Sequence, residues 1–182
     1  MVERLKEEYN VDLEWRPFYL YFDTPPEGRE LSEHIKRARA NGSEERLASI
    51  ARSYGMEFRS TERIYNTRIA HEATEYAREH GMGNEFHKIV FRKVYADGQD
   101  PSNWDVLRSA AEEVGLNADE MQRDVESERY KINVEEQVKW AYQNTNRTDA
   151  IPDRSDIPLS TSRPHPGRHN TTVRCNQRRW LT

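Results

Sequence analysis

Only one stretch of this chain alternates apolar and polar side chains as a β-strand does: residues 11–18, VDLEWRPF, with Val11, Leu13, Trp15 and Pro17 on one face. A single strand leaves its backbone donors and acceptors without a ladder and does not stand alone in water. Most of the chain between residues 29 and 145 carries helical spacing instead. The expectation is a mainly α chain with one strand whose partners lie outside these 182 residues.

Caps and stops divide the helical part. Residues 29–40 form a weak helix ended by Asn41-Gly42. Ser43 is positioned to cap the next, with Leu47, Ile50, Ala51 and Tyr54 at helical spacing and Gly55 as a left-handed stop. Thr67 opens a helix carrying Ile69, Ala70, Ala73, Tyr76 and Ala77, closed by Gly81, and an antiparallel partner bears Phe86, Ile89, Val90 and Val94. Asp100-Pro101 precedes Trp104, Leu107, Ala110, Ala111 and Val114, while Asn117 with Glu120, and Leu116 with Met121, make a capping pair and a hydrophobic staple. Asn133 and Glu136 repeat the cap before Val134, Val138, Ala141 and Tyr142.

At 35% hydrophobic and 33% charged residues, the composition suits one domain, or one domain with an insertion. No apolar run approaches a membrane span and the first residues have no secretory h-region, so the expected location is cytoplasmic. The single cysteine, Cys175, excludes an internal disulfide and any CxxC pair within the chain. Residues 1–150 hold 22 Lys and Arg against 30 Asp and Glu, whereas residues 151–182 hold six Arg against two acids and several prolines, which reads as a disordered basic tail. With no RGG or zinc-knuckle pattern there, a nucleic-acid role is not expected.

The residue types that could carry chemistry have plain structural readings. His71, His80 and His87 are not spaced as two ligands on one helix turn, so no metal site is expected. Asn66, Thr67 and His71 together cap and orient a helix at a seam between two parts of the chain; the alternative is that His71 meets a substrate. Glu44-Glu45, Asp119-Glu120 and Glu135-Glu136 all fall in first helical turns, where negative charge complements the dipole. Trp15, Phe18, Tyr19, Tyr21 and Phe22 pack a core or line an apolar groove that is open to dyes and to self-association.

In order along the chain, VDLEWRPFYLYFDTPPEG, NTRIAHEATEYAREHG and FHKIVFRKVYADGQDPSNWDVLRSAAEEVGLN resemble the DsbA-like thioredoxin family, in particular its FrnE-type branch, over about residues 5–143. That resemblance implies an α/β thioredoxin-like fold that is mainly α here. Residues 1–28 would be a remnant of the thioredoxin half, 29–127 a helical insertion domain, 128–150 the returning helix and 151–182 the tail. It implies thiol-disulfide exchange on protein or small thiol substrates, without a cofactor. It also places Pro152 at the position of the family's cis-proline, although Asp153-Arg154-Ser155 replaces the apolar continuation.

A dithiol enzyme needs a nucleophilic thiolate and a resolving thiol, and the CxxC is absent. The expectation is therefore a family member inactive as this chain, with no catalytic residue of its own and Pro152, His71 and Trp15 as candidate substrate contacts. A non-catalytic helical module that binds proteins or homodimerises is the alternative. A glutathione-dependent isomerase-like protein, akin to the neighbouring 2-hydroxychromene-2-carboxylate isomerases, is third.

Overall fold

The computed structural model describes residues 15–144. Among them are seven helices and a two-stranded ribbon: β1 Arg29–Glu30, α1 Glu33–Ala40, α2 Ser43–Ser53, β2 Arg63–Ile64, α3 Arg68–Glu79, α4 Gly83–Tyr95, α5 Trp104–Glu113, α6 Ala118–Glu126 and α7 Lys131–Asn144. None of these helices is long and apolar enough to cross a membrane.

Helices α3 to α6 make the main core. Short connections keep successive helices adjacent, and α3 packs on α4, α5 and α6. Ala70, Ala73 and Ala77 give α3 a small-residue face that lets Tyr76, Phe86, Leu107 and Met121 fill the centre, all four almost wholly buried. At the α3–α4 turn, a Cβ on Gly83 would lie 3.0 Å from the backbone of Arg78, so only glycine fits there without displacement. A second cluster joins α7 to the start of the described chain: Val134, Val138 and Tyr142 bury Tyr19, with Phe18 and Phe22 against them.

Several expected boundaries shift, each for a local physical reason. The described part of the expected strand, residues 15–18, belongs to no β-ladder, because its neighbourhood is held by side chains instead. Arg78 Nη2 donates to the Trp15 carbonyl at 2.6 Å, the Tyr142 hydroxyl donates to the Tyr19 carbonyl, and Arg68 Nη2 donates to the Phe22 carbonyl at 3.1 Å. Residues 29 and 30, expected to open a helix, pair antiparallel with 64 and 63. The turn before them needs Gly28 at φ +74°, where a Cβ would sit 2.7 Å from the Ile64 carbonyl oxygen.

Caps move too. Helix α2 follows Gly42 rather than being capped by Ser43, which is its first residue. Asn103 caps α5 by accepting from Asp105 N at 2.9 Å, while the Asp100 carboxylate is turned into its own loop, accepting from Ser102 N and Oγ. Asn117 caps α6 as its sequence predicts, accepting from Asp119 N and Glu120 N, both at 3.1 Å, and Met121 of the staple is fully buried. Helix α7 starts at Lys131, two residues ahead of the expected cap, so Glu135-Glu136 lie beyond its first turn and Asn133 is free to serve another partner.

Candidate functional site

The phrases WRPFYLYFDTPPEG and NTRIAHEATEYAR, forty residues apart in the chain, meet in space. Helix α3 reaches the aromatic segment through Arg78 and Arg68, as above, and Asn66 completes the seam by donating from Nδ2 to the Thr24 carbonyl at 2.8 Å. The same Asn66 accepts from Arg68 N at 3.0 Å, so one side chain both opens α3 and ties it to residue 24. Asn66 thus does the capping assigned to it, whereas Thr67 makes no side-chain cap.

A buried polar knot secures the other end of the seam. The Glu75 carboxylate, 6% exposed, takes a salt bridge from Arg78 at 2.9 Å and a hydrogen bond from Asn133 Nδ2 at 2.9 Å. Arg78 also reaches the Gln137 amide oxygen at 3.4 Å. One guanidinium thereby joins α3, α7 and the Trp15 carbonyl. A buried carboxylate is tolerable only with such partners, so removing either Arg78 or Asn133 exposes the desolvation cost of Glu75.

Between the aromatic segment, the ribbon and the flanks of α3 and α4 lies a cleft of about 430 Å³. Phe18, Tyr19, Phe22, Ile64, Phe91 and Tyr95 supply apolar wall. Arg39, Arg63 and Arg68 supply charge, and no Asp or Glu lines it. Its size falls within the usual range for ligand pockets, roughly 300–1,000 Å³, and its walls have the usual mix of aromatic surface and a few polar groups.

Two titratable groups of the cleft wall, His71 and Tyr19, are held neutral. Burial, with His87 nearby, lowers the His71 imidazole to about 4, and burial raises the Tyr19 phenol to about 12 against the opposing pull of Arg68. Their rings approach at 5.5 Å, and the Arg68 guanidinium stands 5.2 Å from the Tyr19 ring centre. At neutral pH the charge on the lining therefore comes from guanidinium groups.

A ladder of ring contacts, stacked at its two ends and tilted between, runs along the outer edge. Trp15 stacks on His87 at 4.9 Å, His87 meets Phe91 at 5.3 Å, Phe91 meets Tyr95 at 4.6 Å and Tyr95 lies over Phe58 at 6.0 Å. His87, Phe91 and Tyr95 follow i, i+4 spacing on α4, and Phe91 is 54% exposed.

Of the three candidate contacts read from the sequence, His71 lines the cleft, Trp15 lies outside it at the end of the ladder, and Pro152 lies outside the described residues. The sequence reading passed over Arg39, Arg63, Arg68, Phe91 and Tyr95. Phe91 and Tyr95 carried a signal, being aromatic at helical spacing; the arginines looked like ordinary solvated charge. Among the described residues no group of three or more His, Cys, Asp or Glu side chains is arranged to hold a metal ion.

A family model, the DSBA-like thioredoxin domain, matches residues 1–145. A protein of Bacillus subtilis (strain 168), named "Uncharacterized protein YwbO", is 27% identical over 145 residues, a stretch covering 79% of this chain and 70% of that protein. The matched span contains the seam, the cleft and every described helix.

Proposed function

Because the chain belongs to the DSBA-like thioredoxin domain family, we propose that it serves thiol-disulfide chemistry as a substrate-holding part, its seam cleft gripping apolar side chains of a polypeptide. In this reading residues 29–127 are the helical insertion domain. These 182 residues contain one cysteine, so they have no dithiol to cycle between reduced and oxidised forms.

The observation that supports this most directly is the cleft with aromatic walls beside a buttressed seam. Three carbonyls of residues 15–24, those of Trp15, Phe22 and Thr24, are pinned by α3 and by Asn66, two residues before it, which fixes the aromatic rings in place. A rigid aromatic wall loses little entropy when it receives a ligand. Two measurements test the reading together. The full chain should give no acceleration of insulin reduction by dithiothreitol, and it should bind a cysteine-alkylated peptide of the insulin B chain with a change in tryptophan fluorescence. Phe91→Asp, at an exposed cleft position, should weaken that binding at least tenfold, roughly the cost of burying an unpaired charge against an apolar ligand. Clear acceleration of insulin reduction, or binding indifferent to Phe91→Asp, refutes it.

A homodimerisation module is the second reading, favoured by Leu47, Ile50, Tyr54 and Met56, each more than half exposed on and just after α2. Sedimentation velocity across a hundredfold range of concentration decides it, since a constant monomer value removes the dimer.

A further inference from the structure

Arg63 and Arg68 are placed where an apolar cleft needs no charge of its own. The chain carries a formal net charge of −4, yet the cleft collects three arginines and no carboxylate. Each guanidinium is anchored by a hydrogen bond to one backbone carbonyl: Arg39 to Thr61 at 2.7 Å, Arg63 to Gly28 at 3.4 Å and Arg68 to Phe22 at 3.1 Å. Among the described residues only Arg39 has a carboxylate at ion-pair distance, Glu44 at 3.9 Å, while Glu72, one turn along α3, feels the charge of Arg68 without closing a pair. A guanidinium offers five N–H donors, so a single carbonyl orients it and leaves donors over. Carbonyls do not neutralise its charge. Aromatic walls lower the local dielectric and strengthen whatever anion meets these groups.

Resting on the reading that the seam cleft is a binding site, we propose that its ligand pairs an apolar body with a carboxylate, the apolar part against Phe18, Phe22 and Phe91 and the carboxylate on the guanidinium groups of Arg63 and Arg68. Arginine suits this because its planar fork matches a carboxylate with two parallel hydrogen bonds. Two sources offer that chemistry, a free organic acid with an aromatic or aliphatic body, and an acidic residue flanked by apolar ones in a peptide. Neutral His71 and the protonated Tyr19 phenol do not oppose an anion, and the acids nearest Tyr19, Glu72 and Glu135, are absent from the lining.

Titration calorimetry of the full chain with isosteric pairs tests the proposal. 4-Phenylbutanoate is compared with 4-phenylbutanamide, and a capped Phe-Glu-Phe tripeptide with its Phe-Gln-Phe counterpart. The acid of at least one pair should bind about tenfold or more tightly than its neutral isostere, as expected for a charge-assisted contact, and more weakly as salt is raised. Which pair shows the difference identifies the source. Arg63→Gln, whose carbonyl contact is the longest of the three, should abolish the preference for the acid, lowering the affinity of the acid about tenfold more than that of the amide. Arg68→Met should do the same if its thermal unfolding matches that of the parent chain. Equal affinities for acid and amide overturn the charge assignment and leave the apolar cleft standing. The same follows if neither pair binds while the insulin B chain peptide does. If that peptide fails as well, the cleft reading itself falls.

Discussion

Helices α2 and α3 are of nearly equal length, 11 and 12 residues, and both repeat apolar side chains at helical spacing, yet α3 buries five residues and α2 buries none. Their surroundings differ more than their sequences. Helix α3 is met by α4, α5, α6 and α7, and its alanines let those neighbours close in. Helix α2 is met by α1, itself without a buried residue, and leaves Leu47, Ile50 and Tyr54 more than half exposed. Amphipathic spacing says that a helix has an apolar face; it does not say that something covers it. The seam and its cleft lie on the α3 side of this divide, where rigid packing can hold rings and guanidinium groups in place. The ribbon joins that frame to the hairpin of α1 and α2, with Arg39 donating to Thr61 as an additional tie.

The largest expected effect lies in the bundle. Phe86 is completely buried among Tyr76, Leu107 and Met121, so Phe86→Ala should cost about 3–5 kcal/mol in urea unfolding, the transfer cost of the ring plus the cavity it leaves. A loss under about 1 kcal/mol would show that the bundle is loosely packed and would erase the contrast with α2.

A smaller effect belongs to the seam and depends on pH. His71 has its folded pKa lowered from 6.5 to about 4, so between those values the unfolded chain binds the proton and the folded chain resists it. Stability from this residue is full above pH 6.5 and falls as the pH drops toward about 4, by at most roughly 3–4 kcal/mol at 1.36 kcal/mol per pKa unit. Glu75, Arg78 and Glu72 on α3, His87 on α4 and Tyr19 surround the seam, and His87 is lowered in the same direction by burial and by Arg78. Urea midpoints measured from pH 7.5 to 4.5 should therefore decline less steeply in His71→Gln than in the parent chain. Parallel declines would show that His71 is solvated and that the seam is open.

What the sequence made legible was local, and what it hid was tertiary. Asn117 and Met121 could be read as cap and staple because each partner sits within a few residues. Asn133 has the same chemistry and was misread, since its amide is taken by Glu75, 58 residues away. The strand expected at 11–18 failed in its described part for a related reason. Of the face that alternation marked as buried, Pro17 is buried and Trp15 is exposed, and the carbonyls at 15, 19 and 22 find side chains on α3 and α7 rather than a neighbouring strand. For the candidate site, the ordered phrases located the seam, because Asn66, a defining residue of the second phrase, also joins it to the first through the Thr24 carbonyl, whereas Arg68, which makes a second tie, stands at a position the phrase leaves open. The charge of the cleft stayed hidden. Arginines 39, 63 and 68 come from different elements, and nothing in their spacing announces a shared wall.

The smallest expected effect tests the other arm of the comparison. Leu47 is 51% exposed, so Leu47→Ala in dilute protein should shift the unfolding free energy by less than about 0.5 kcal/mol, close to the helix-propensity difference between the two residues. The size of any excess, and how it depends on concentration, then discriminates. A loss above about 1.5 kcal/mol that is the same at low and high protein concentration means that α2 is covered within its own chain. If the loss instead grows with concentration, the cover is a second copy, since only an association equilibrium responds to mass action. Near-zero loss at every concentration leaves α2 as an amphipathic helix with a bare apolar face, and places the stability of the described helices in the bundle and the seam.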